Sequence, residues 1–168
     1  MFPKRCGTCH AAAMHPSVTQ VAPLLGVWRG QGHGSYPTIA DFDYDDEVVF
    51  TEVGKPFLHF VQRTTISGEP RHTETGYWRT VGPGEIEICL ALPTGQVEVG
   101  IGTATATEGV LSLETEADDY CTPRAKYVSR TVRRLRVEGD TLTYEVLMAA
   151  VGQELTLHLR STLTRVQS

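Results

Sequence analysis

No apolar run in this chain approaches the ~20 residues that a membrane-spanning helix needs, so no membrane partner is expected. It has no basic stripe, and its formal net charge is −5. A nucleic-acid partner is therefore not expected. The N-terminus carries basic Lys4 and Arg5 but no apolar segment behind them, so it does not read as a secretory signal. That predicts a cytosolic protein, where disulfides are uncommon. Internal repeats and low-complexity segments are also lacking, and 168 residues suit one domain with a real core. The chemistry-bearing spacings are missing too. None of the six histidines forms an HExxH pair, and there is no nucleophile elbow or phosphate loop.

What is there begins with Gly26-Val27-Trp28-Arg29-Gly30-Gln31-Gly32, followed by Tyr36-Pro37-Thr38. The stretch reads as an opening strand with Gly26, Trp28, Gly30 and Gly32 on one face. Glycines there let another backbone or a flat ligand come close, and Trp28 supplies one large apolar body whose N–H needs a partner. Pro37 closes the strand because it donates no hydrogen bond. These glycines precede a strand, so they are not a dinucleotide fingerprint.

Residues 1 to 15 read as a flexible tail, and 16 to 168 as the folded domain. Within the tail, Cys6-Gly7-Thr8-Cys9-His10 matches the CxxCH attachment motif of c-type haem. It precedes any periodic pattern, so it reads as a coincidental or merely redox-reactive pair. Ser17 is placed to cap a short helix with Val18, Val21, Ala22 and Leu25 on one face. Such a helix is suited to plugging one end of a barrel.

From Gly26 onward the pattern is strands. Phe42, Tyr44, Asp46, Val48 and Phe50 share one parity, and residues 57 to 66, 71 to 81, 85 to 92 and 96 to 106 follow with short turns. A strand over 110 to 116 leads into a polar connection over 117 to 124. Strands over 126 to 138, 141 to 150 and 154 to 166 complete the chain, with Gly139-Asp140 as a tight hairpin turn. Cys89 reads as a small strand residue and Cys121 as a loop residue. About ten strands with hairpin turns predict an all-β, antiparallel up-and-down barrel, closed so that no edge is left open. A barrel of more than about eight strands has room for a ligand. From the residues alone the reading stops at a β-barrel with an apolar cavity.

The combination Gly26-x-Trp28-x-Gly30-x-Gly32, Tyr36-Pro37-Thr38, and an aromatic and acidic strand ending in Phe50 resembles the nitrobindin family. So do His72-x-Glu74-x-Gly76-Tyr77, Met148 and the last strand with His158. The resemblance runs from residue 15 to 166. It implies a ten-stranded barrel shaped like lipocalins and fatty-acid-binding proteins, with one non-covalent haem b per chain. It also implies nitric oxide binding and isomerisation of peroxynitrite to nitrate on ferric iron. His158 falls at the family's axial and catalytic position, Thr38 where the opening segment approaches the haem, and His72 and Met148 at pocket-lining positions. Lys126 or a neighbouring basic residue is a candidate propionate contact.

The parity of the last strand conflicts with this. Leu155, Leu157 and Leu159 alternate with Thr156, His158 and Arg160, so a simple apolar lumen would turn His158 outward. A bulge, or a haem against a mixed wall near the mouth, would each remove the conflict. Two other readings stand beside the isomerase: a non-catalytic haem or nitric oxide carrier or sensor, and a haem-free carrier of fatty-acid-like ligands. The sequence leaves the oligomeric state open.

Overall fold

The computed structural model describes residues 13 to 167. The CxxCH motif and most of the expected tail lie outside the described residues. The first element among the described residues is a 3-10 helix, Pro16–Leu24, whose bonds run from Val18 N–H to His15 O and from Leu25 N–H to Ala22 O. Pro23 has no N–H to extend it. The cap is His15 rather than Ser17, because the His15 Nδ1 accepts from the Ser17 backbone N–H at 3.2 Å. Tighter winding puts Leu24, not Leu25, in the core beside Val18 and Val21.

Ten antiparallel strands follow: β1 (Gly26–Tyr36), β2 (Ile39–Glu52), β3 (Phe57–Ile66), β4 (Glu69–Gly82), β5 (Glu85–Ala91), β6 (Gln96–Thr107), β7 (Val110–Cys121), β8 (Val128–Glu138), β9 (Thr141–Ala150) and β10 (Thr156–Arg165). Each pairs with its sequence neighbours, and β1 pairs with β10 to close the barrel. The expected connection over 117 to 124 is shorter than its polarity suggested, since β7 runs on to Cys121. Its inward positions there are Ala117, Asp119 and Cys121. Ala117 still packs in the core, Asp119 faces a cavity and Cys121 packs against Tyr36, Val128 and Ala150, so the apolar alternation fades while the strand continues.

The glycine motif makes room on the inside of β1. A Cβ on Gly30 would press into Thr162 O and lie 2.9 Å from Leu163 Cα on β10. One on Gly32 would press into the Tyr44 ring, and one on Gly34 into the Phe42 ring. β2 is the pairing partner in both cases, Gly32 opposite Tyr44 and Gly34 opposite Phe42. The close approach is therefore one backbone and two aromatic side chains.

Trp28 is fully buried, and its Nε1–H donates to Leu24 O at 2.7 Å. The Arg165 guanidinium lies over its ring at 4.0 Å and donates to Pro23 O and Leu25 O. Gln20 joins the helix to the β4–β5 turn, donating to Gly82 O at 3.0 Å and accepting from Gly84 N–H at 2.8 Å. The helix thus plugs one end of the barrel, above a core that includes Phe50, Phe60, Trp78, Leu111 and Leu142. The other end, bordered by the turns after β1, β3, β5, β7 and β9, stays open.

Candidate functional site: a cavity at the open end of the barrel

At the open end the core gives way to a cavity of about 670 Å³, within the range of small-molecule and cofactor sites. Its walls carry apolar side chains such as Ile39, Phe42, Val128, Met148 and Leu159. His158, Thr38, His72, Met148 and Lys126 all line it. Thr38 lies in the β1–β2 turn, His72 in β4, Met148 in β9, His158 in β10, and Lys126 in the β7–β8 loop. A wider depression of about 990 Å³ on the outer wall is bordered by polar and charged side chains such as His33, Asp43, Glu114 and Arg160. None of the five lines it.

His158 sits in a bulge. β10 pairs Leu157 with Leu147 but Leu159 with Val146, so two residues of β10 span one step of β9. The extra residue breaks the alternation. His158 and Leu159 both line the cavity, while Leu157, which simple parity would turn inward, is exposed at 38 %. The His158 Nδ1 lies 3.2 Å from Ser35 O, a geometry in which Nδ1–H donates and Nε2 keeps its lone pair. Nε2 makes no hydrogen bond among the described residues. Burial holds the imidazole below its ordinary pKa, with the His72 charge adding a smaller push, so the neutral form is favoured.

Two aromatic edges fix the ring: Tyr36 with centroids 5.3 Å apart, and Phe42 at 6.5 Å. Tyr36 is itself clamped to β9. Its hydroxyl donates toward Met148 O and Ala150 O and accepts from Ala150 N–H at 2.9 Å.

The cavity floor is polar, which strand alternation did not single out. Arg133 is buried between two carboxylates. It donates to Glu74 at 2.7 and 2.9 Å and to Glu98 at 2.7 Å twice over. Burial alone would raise the Glu74 carboxyl, but the Arg133 guanidinium with its hydrogen bonds, and the nearby His72, override it and hold it down to about 2. The His72 Nε2 lies 3.6 Å from Glu74. Asp119, which accepts from Thr131 Oγ1 at 2.8 Å, is pushed up to about 6 by burial and then by Glu98.

The rim is cationic. Among the described residues, Arg29, Arg63, Arg79, Arg130, Arg134, Arg136 and Arg165 on the strands are ion-paired with acids, as is Arg133 in the floor. Arg71, Arg124 and Lys126 line the cavity without such a partner.

The class this defines is a closed ten-stranded barrel with a deep one-ended pocket and a single tautomer-fixed histidine in its wall. Residues 17–165 match the family described as THAP4-like, heme-binding beta-barrel domain, and the chain belongs to that family. It is 45% identical over 155 residues to a protein of Mycolicibacterium paratuberculosis named peroxynitrite isomerase 1, covering 90% of this chain and 96% of that one. It is 45% identical over 158 residues to the peroxynitrite isomerase of Nocardia farcinica, covering 92% and 94%. The crystal structure of Rv2717c from M. tuberculosis superposes with a TM-score of 0.89 at 43% identity, over 92% of this chain and 99% of the other.

Proposed function

We propose that the cavity holds one haem b non-covalently, with His158 as the axial ligand, and that the protein isomerises peroxynitrite to nitrate. The observation that carries this is the His158 geometry: a half-buried imidazole favoured neutral, anchored through Nδ1, with Nε2 unengaged in the wall of a cofactor-sized cavity. The names of the Mycolicibacterium and Nocardia relatives supply the reaction.

The donor set fits the group. A neutral imidazole with a fixed tautomer suits iron, apolar walls suit the macrocycle, and rim cations suit its carboxylates. A bound haem would supply the metal centre at which the peroxo O–O bond is broken and the new N–O bond is made. The chain's own work is binding and orientation. Tyr36 and Phe42 hold the imidazole plane. Met148 and Thr38 border the bound group, and His72 borders it with Glu74 behind. Lys126, joined by Arg71 and Arg124, meets the propionates and draws an anionic substrate toward the mouth.

Nitric oxide is the second small ligand in this reading. The fatty-acid-carrier reading is weaker, because Arg133, the buried cation that would meet an acyl carboxylate, is already saturated by Glu74 and Glu98. Cys89 and Cys121 carry free thiols, which suits a reducing cytosol.

The test is an absorption spectrum of the purified protein, followed by nitrate yield from peroxynitrite at fixed haem. A Soret band extractable into acidic butanone, with nitrate formed in proportion to haem, is expected. Nitric oxide should shift that band. Bound haem without nitrate would leave a carrier or sensor, and haem retained by the polypeptide after extraction would return attention to Cys6 and Cys9.

A further inference from the structure

Between the cavity and the packed core lies a third buried carboxylate, this one with no cation beside it. Asp46 of β2 is 4 % exposed and has no ion-pair partner among the described residues. Its oxygens accept from three side chains: Gln62 Nε2 at 2.9 Å, Tyr144 OH at 2.6 Å and Ser161 Oγ at 3.0 Å. The Tyr144 hydroxyl also accepts from Gln62 Nε2 at 2.6 Å and lies 3.0 Å from the Tyr44 hydroxyl, where either oxygen is free to donate. Tyr44 and Gln62 line the cavity. The row Tyr44–Tyr144–Asp46 therefore leads from the cavity wall to a buried acid.

This row has two complete arrangements. With Asp46 ionised, Tyr144 donates to Asp46 and Tyr44 donates to Tyr144. With Asp46 protonated, the acid donates to Tyr144, Tyr144 donates to Tyr44, and the Tyr44 O–H is released to the cavity. Gln62 donates to Tyr144 in both. Ser161 also lies 3.0 Å from Gln31 O and is able to donate there instead. With Asp46 ionised every donor and acceptor in the row is paired; with it protonated the only donor without a protein partner is the Tyr44 O–H, which turns to the cavity.

The geometry points to a proton path: Asp46, through Tyr144 and Tyr44, exchanges one proton with the cavity and sets whether the wall at Tyr44 accepts or donates a hydrogen bond. In one passage inward, Tyr44 gains a proton from the cavity and gives its own to Tyr144, which gives its own to Asp46. Three O–H bonds form and three break, and no electron moves. The path goes beyond the isomerase reading and rests on it only for its use. Peroxynitrite in its acid form carries a proton that nitrate does not keep, and Asp46 is an acceptor joined to the cavity wall through Tyr144 and Tyr44.

The surroundings agree. Burial pushes Tyr44 up to about 12 and, with the Asp46 charge behind it, raises Tyr144 well above the ordinary phenol range, so both relay as neutral hydroxyls rather than phenolates. Burial also raises Asp46, opposed by its three hydrogen bonds and assisted by the Glu74 charge from β4. The groups facing Asp46 are Tyr44 on β2, Gln62 on β3, Glu74 on β4, Tyr144 on β9 and Ser161 on β10. Arg133 of β8 is held by Glu74 and Glu98.

The test uses the full chain with whatever cofactor it purifies with, reduced and saturated with carbon monoxide so that any iron is diamagnetic. Infrared difference spectra against pH follow the carboxylic-acid carbonyl stretch, and ring-labelled tyrosine follows each phenol carbon by NMR. A carbonyl band should titrate above the ordinary carboxylate range and vanish in Asp46→Asn. The Tyr44 and Tyr144 signals should move with the same midpoint. In Tyr144→Phe the Tyr44 signal should stay still while the carboxyl still titrates. A Tyr44 signal that ignores the Asp46 titration in the wild type would overturn the path. So would an Asp46 that stays ionised at every pH where the barrel is folded. Neither result depends on peroxynitrite turnover, so a failure here and a failure of the isomerase reading are read separately.

Discussion

Gly30→Ala puts a methyl group where β10 leaves no room. The added Cβ presses into Thr162 O and stands 2.9 Å from Leu163 Cα, against ~3.5–4.0 Å for comfortable carbon contacts. Both obstacles are main chain, so no side-chain rotation relieves them. The strands must part by roughly 1 Å at the seam, beyond which an N–H···O contact is no longer a hydrogen bond. Gly30 pairs with Leu163 and Gln31 with Thr162, so the strain falls on the ladder that closes the barrel. Overpacking of this kind costs about 1–3 kcal/mol. For a chain of this length each kcal/mol lowers Tm by about 2–4 °C. Gly34→Ala is the control, because its obstacle is the Phe42 ring, which is able to swing away. Thermal unfolding should show a clear Tm loss for Gly30→Ala and a smaller one for Gly34→Ala. Because Phe42 also lies against His158, Gly34→Ala should disturb the cavity more than the melt. An unchanged Tm in Gly30→Ala would refute the account of the glycine motif.

Trp28→Phe removes the bond to Leu24 O and should cost about 1–3 kcal/mol by leaving a buried carbonyl unpaired, measured by denaturant unfolding. Arg133→Met strands Glu74 and Glu98 and should cost about 3–5 kcal/mol near neutral pH. The loss should shrink in acid, where the stranded carboxylates take up protons. Asp119 is held at about 6, above its unfolded value. Between those values the folded chain binds a proton that the unfolded chain has lost, so stability falls as pH rises through the window. Asp119→Asn should therefore raise Tm more at about pH 7 than at about pH 4; an equal gain at both would contradict this.

The barrel was legible because its strands alternate and its turns carry glycine and proline. Residues 57 to 66 and 141 to 150 match β3 and β9 to the residue. The helix was legible as an element, but its 3-10 winding and His15 cap depend on contacts no propensity encodes. At the site, the residues drawn from the family pattern all reach one cavity, whereas the polar floor went unmarked. A signal for it existed. Asp46 falls on the same parity as Tyr44, Val48 and Phe50, Arg133 on that of Leu135 and Val137, and Glu74 on that of Trp78. A charge on an apolar parity marks a buried network or a lined cavity, and here it marks both. The His158 bulge was not decidable from the sequence, because a β-bulge changes which residues face inward without changing composition.

The measurement that bears most directly on the central claim is haem titration of the stripped protein, read as the ferric absorption spectrum. Wild type and His72→Ala should regenerate the same Soret band with similar affinity. His158→Ala should lose most of its haem affinity, and added imidazole should restore part of the band by standing in for the missing base. A wild-type spectrum in His158→Ala, together with loss of haem in His72→Ala, would move the iron to the other histidine and contradict the account.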